Sequence, residues 1–151
     1  MDEVKRIEDQ LKRAYAGPAW HGPSVREVLA SMTPEIAMRR PIANAHTIWE
    51  ITLHILAWQR AVLTRTKGTP VELTTEEDWP PAGASDTAAW NQLLEQLEES
   101  HRQLLAMLSG LTDLELDEIV PGEPYTIYFM LHGLIQHNLF HAGQIAALKK
   151  A

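Results

Sequence analysis

An all-α fold, a four-helix bundle with long crossover connections, is what this chain predicts, and three observations predict it. Apolar residues recur at helical spacing in four separate stretches. Capping residues, prolines and glycines punctuate those stretches where helices should start and stop. No credible strand lies between them. With 151 residues, a single domain spanning 1–151 can bury roughly 68–70% of the surface that its unfolded chain would expose, enough for one core.

The elements follow in order. Val4, Ile7, Leu11 and Ala14 define a first amphipathic helix that Gly17-Pro18 ends. Ser24-Val25-Arg26-Glu27 has the capping-box pattern, while Pro34 and Pro41 leave room only for short helical pieces after it. A long helix from about Asn44, the expected cap, runs to Thr66 before Gly68-Thr69-Pro70. Its inner stripe is Ile48, Ile51, Ile55, Trp58 and Val62. A second apolar side, Trp49, Leu53, Leu56 and Leu63, suggests burial on two faces.

Residues 69–85 read as a long connection, which lets the next helix cross over. Ser85 or Asp86 caps a third helix with a stripe of Trp90, Leu93, Leu97, Leu104 and Leu108, ending at Gly110. Past the turn residues Pro121-Gly122-Glu123-Pro124, the last helix spans about Thr126 to Lys150 on a stripe of Ile127, Met130, Leu134, Ile145 and Leu148.

Composition narrows the function. An apolar fraction of 45% and a charged fraction of 22% are those of a globular protein. There are no cysteines, so disulfides, thiolate ligands and a cysteine nucleophile are excluded, and any metal must be held by nitrogen and oxygen. The net charge of -7 argues against a nucleic-acid partner, and Lys5, Arg6, Lys12 and Arg13 read as a solvated helix face. Charged and polar residues interrupt every apolar run before membrane-spanning length, and the N-terminal residues do not look like a signal peptide. The expectation is a cytoplasmic protein with no membrane partner.

The histidines carry the chemistry. His137 and His141 sit four residues apart in the last helix, so their imidazoles project from one face, one above the other, as suits a single metal ion. That spacing alone also fits a structural pair. His54, on the edge of the long helix's inner stripe, makes a shared site of three the better reading: metal ligands His54, His137 and His141. His101 lies along the third helix's stripe and can approach, although an edge histidine that keeps one nitrogen in water is the expected role. His46, His132 and His21 read as surface residues. Glu50 and Gln144, each about one turn from a ligand, are candidates to hydrogen-bond the ligand rings.

The segment Ala45-His46-Thr47-Ile48-Trp49-Glu50-Ile51-Thr52-Leu53-His54-Ile55-Leu56-Ala57-Trp58, with Gln136-His137-Asn138-Leu139-Phe140-His141-Ala142-Gly143-Gln144-Ile145 downstream, resembles the DinB/YfiT-like superfamily. The resemblance spans nearly the whole chain. It implies a four-helix bundle, commonly a homodimer, in which one histidine of the second long helix and two of the last bind a divalent metal; the matching positions are His54, His137 and His141. It also implies one branch of activity, metal-dependent transfer of a low-molecular-weight thiol to an electrophile.

Three nitrogens leave at least one coordination position open, as in a reactive site. Histidine ligands suit zinc, nickel, copper or iron, with zinc or nickel the expected ion. The competing reading is a non-catalytic, stress-related metal-binding or structural bundle, with or without the ion. Trp49, Leu53 and Leu56 supply the apolar surface from which a homodimer is expected, along with the family precedent.

Overall fold

The computed structural model describes residues 2–151. Seven α-helices are found among them, in the order α1 (Glu3–Ala16), α2 (Val25–Leu29), α3 (Pro34–Met38), α4 (Ile48–Thr66), α5 (Thr75–Asp78), α6 (Thr87–Leu108) and α7 (Ile127–Leu148), with a 3₁₀ turn at Glu115–Asp117 before α7. The four long helices α1, α4, α6 and α7 make the bundle. Helix α4 packs on both α6 and α7, and α1 packs on the same two partners. None of the helices is long and apolar enough to cross a membrane.

The local signals explain most boundaries. Asp2 caps α1 by accepting from the Lys5 amide, and Asp113 reaches back from the far loop to accept from the Glu3 and Val4 amides at 3.0 Å each. The Ser24–Glu27 capping box forms as expected. The cap of α4 is a correction. Thr47, not Asn44, accepts from the Glu50 amide, while the Glu50 carboxylate accepts from the Thr47 amide. A Thr-x-x-Glu pair satisfies two orphan amides together, which a lone asparagine three residues earlier cannot do. Asp86 and Thr126 cap α6 and α7.

The core has two apolar clusters. One gathers Ile48, Ile51 and Ile55 of α4 with Trp90, Leu93 and Leu97 of α6 and Ile145 of α7; the other gathers Val4, Ile7, Leu11 and Ala14 of α1 with Leu104, Leu108, Ile127 and Leu134. Trp49 and Leu56 are fully buried in the first cluster and Leu53 is packed against it. These residues therefore belong to the chain's own core, where Trp49 meets Trp90 of α6 and α3 packs on α4, while α2 packs on α7 and α1. Trp49 and Leu56 are thus not free to form the dimer surface expected of them, whereas Leu53 is half-buried. Of the inner stripe, Trp58 is only half-buried, since it leaves the core to face the site.

Candidate metal centre

His54 rides the second turn of α4, fixed by the Thr47 cap, and His137 and His141 sit one above the other in the middle of α7. Because α4 and α7 pack together, all three rings meet. The Nε2 atoms of His54 and His137 are 2.9 Å apart, and those of His137 and His141 are 3.1 Å apart. The three residues offer ligand atoms within 4.8 Å of one another, as a group that can hold a metal ion.

The other side of each ring fixes its orientation. His54 Nδ1–H donates to the Asp78 carbonyl oxygen at 2.6 Å, with the Asp78 carboxylate 3.1 Å away. His141 Nδ1–H donates to Gln144 Oε1 at 2.6 Å. With both Nδ1 atoms protonated in this way, the Nε2 lone pairs point at a common centre. His137 Nδ1 is buried without a hydrogen-bond partner among the described residues. Lone pairs this close repel unless a proton on His137 Nε2 or a cation lies between them, and three Nε2 donors from two helices fit a divalent transition metal.

Electrostatics favours the same protonation state. Burial lowers the pKa of His54, partly offset by the Asp78 acceptors, and burial likewise lowers His141, partly offset by Gln144. Burial, reinforced by the charges that His141 and His54 would carry, pushes His137 down to about 3. The rings are thus neutral at pH 7, the form that ligates metal.

Other residues land elsewhere than expected. Glu50 touches no ligand ring; its carboxylate caps α4 and pairs with Arg40 at 2.7 Å. His101 does not approach the centre. It is buried, stacked on Tyr15 with ring centroids 4.0 Å apart, and its Nδ1 has no partner among the described residues. His46 is exposed, yet it stacks on Trp79 at 3.6 Å. Trp79 in turn stacks on His54 at 3.8 Å, so the indole lies against both imidazoles. His132 is half-buried against Tyr128, and His21 is exposed.

Asp78 and Trp79 are the residues that sequence reasoning missed, because residues 69–85 read only as a connection. A readable signal was there: Thr74 and Glu77 form a capping box that nucleates α5 and aims the next two residues at His54. Asp78 does double duty, since its carboxylate also accepts from Trp58 Nε1 at 2.6 Å.

Fold and site together define a helical bundle with a three-histidine centre on its second and last long helices. The chain belongs to the DinB superfamily, which matches residues 9–145. Among solved structures it is similar to a conserved protein from Enterococcus faecalis, with a TM-score of 0.73 and 17% identity over 99% of this chain and 96% of that one, a likeness that carries the fold alone. No curated protein matches it.

Proposed function

We propose that the protein binds one divalent transition metal ion, zinc or nickel, through Nε2 of His54, His137 and His141, and that it is a metal-dependent transferase joining a low-molecular-weight thiol to an electrophile. The observation that carries the reading is the convergence of three neutral imidazoles whose outer nitrogens are held by Asp78 and Gln144 or left orphaned. A bound divalent ion would supply a Lewis acid that favours thiolate over thiol near neutral pH, so that a cosubstrate thiol serves as the nucleophile that a chain without cysteine does not carry itself.

The chain's own residues do the rest. The Asp78 carbonyl and Gln144 hold two rings in one tautomer, Trp79 covers His54 from one side, and a cavity opens beside His54 and His137 on the other. A site that serves only to fix helices is usually closed by a fourth protein ligand, whereas three ligands beside an open cavity suit exchange of a small molecule. Elemental analysis of the purified protein, followed by turnover assays of zinc- and nickel-loaded samples with thiols and a panel of electrophiles, tests the proposal. Conjugate formation that disappears on chelation is the expected result. Stoichiometric metal with no conjugate for any pair would leave a non-catalytic metal-binding bundle, and absence of metal affinity would overturn the site itself.

A further inference from the structure

The cavity beside His54 and His137 has a volume of about 420 Å³, within the usual range for small-molecule sites. Trp58 and Val62 of α4 and Phe129, Met130 and Leu134 of α7 form its apolar walls, with Gly133 leaving a gap in the α7 side. An apolar cavity of ~150 Å³ is enough for one benzene ring, so this one has room for roughly two fused rings.

Charge decides what kind of molecule fits. Arg65 is the one cationic side chain lining the cavity among the described residues, and its guanidinium is already engaged. Nε and Nη2 donate to the Val71 carbonyl at 3.0 and 2.6 Å, Nη1 donates to the Tyr125 hydroxyl at 2.7 Å, and Nη2 pairs with Glu123 at 2.8 Å. The side chain is 6% exposed. A guanidinium neutralised by a carboxylate and fixed by a backbone carbonyl has little left for an incoming anion. The remaining charged wall, the Asp78 carboxylate, repels one.

We infer that this cavity is a binding site for an uncharged, flat, apolar molecule of about two fused rings, lying between Trp58 and the Met130–Leu134 face with one edge toward His54 and His137. Under the proposed reaction, on which this assignment of the electrophile rests, such a molecule is the electrophile's class. The Arg65–Glu123–Tyr125 network closes the far end and sets its length. Gly133 sets its width: a Cβ added there meets nothing within 4 Å, and the residue is helical, so larger side chains can enter the cavity without disturbing the backbone.

The test uses full-length protein stripped of metal and titrated by calorimetry with 2-naphthol, neutral at pH 7, and with its anionic counterpart 2-naphthoate. Binding of 2-naphthol at least tenfold tighter than 2-naphthoate is expected. Gly133→Phe should weaken 2-naphthol at least tenfold, and Gly133→Ala should do so less, with helicity and metal stoichiometry unchanged in both. Tighter binding of 2-naphthoate, no binding of 2-naphthol, or unaltered binding in a folded Gly133→Phe would overturn the inference. Should Gly133→Phe not fold, Gly133→Ala and the 2-naphthol to 2-naphthoate ratio still decide it. The apoprotein readout separates this from the reaction: binding without turnover sinks only the transferase reading, and turnover without 2-naphthol binding sinks only the pocket.

Discussion

His101 and the three clustered histidines are the same residue type in the same bundle, and His54, His101 and His141 are buried to the same degree, at 4–5% exposure. Their surroundings differ in two respects. His54, His137 and His141 come from two helices and turn one nitrogen each toward a common point, while His101 lies flat on Tyr15 with Nδ1 facing nothing that can bond to it. Burial of a histidine therefore says little about ligation. What makes a ligand is a partner for the outer nitrogen and a convergent neighbour for the inner one. His54 and His141 have both, His137 has the second, and His101 has neither.

Removing a ligand should separate the two kinds of buried histidine most sharply. His54→Ala and His137→Ala are each expected to lower metal affinity by more than about a hundredfold, beyond the 10–100-fold typical of losing an outer hydrogen-bond partner. His101→Ala should leave affinity within about threefold. Competition with a chromophoric chelator measures this, with circular dichroism to verify that helicity persists. Equal losses for His101→Ala and His54→Ala in folded proteins would mean that the two kinds of buried histidine are not distinct.

Acid acts on His101 itself. Burial, opposed by Glu98 and reinforced by Arg26 and Lys12, pushes His101 down to about 4, against about 6.5 in an unfolded chain. Tyr15 faces it from α1. Between those two values the unfolded chain holds a proton that the folded chain does not, so the stability present above about pH 6.5 is lost as pH falls toward 4. His101→Phe, which keeps a ring against Tyr15, should remove roughly 2 kcal/mol of the stability that the metal-free protein loses between pH 7 and 5. Urea unfolding at the two pH values checks it. An unchanged pH dependence in the variant would show that His101 is not held neutral by the fold.

Much of this was legible in the sequence, for identifiable reasons. The apolar stripes of α1, α4, α6 and α7 and the four-residue spacing of His137 and His141 are properties of single helices, which local pattern reveals. Which apolar residues are covered by which element is not local. Trp49 and Leu56 looked like dimer surface because much of the core cluster they share lies far off in sequence, where the periodicity of α4 cannot show it. Trp90 of α6 and residues of the short helices α2 and α3 belong to that cluster. Glu50 looked like a partner for His54 because one turn separates them, but the side chain is spent on the Thr47 cap and Arg40. Asp78 and Trp79 reach His54 across 24 and 25 positions, through a loop whose direction no periodicity encodes.

A smaller effect is expected at Gln144, and it asks what holds a ligand ring in place. Its Oε1 accepts from His141 Nδ1 at 2.6 Å, although the residue is itself exposed. Gln144→Ala takes away that acceptor without harming α7, since alanine favours a helix, and water can partly take its place. Metal affinity should therefore fall toward the low end of the 10–100-fold range for outer partners, with Gln144→Glu restoring most of it because a carboxylate oxygen can accept the same proton. Isothermal titration with zinc on the three proteins measures the series. His141 is also flanked by Phe140, with ring centroids 5.2 Å apart, and by Trp79 at 6.0 Å. If Gln144→Ala binds zinc as the parent does, packing alone orients the ring. Convergence of the backbones would then separate the cluster from His101, and the outer hydrogen bond would not.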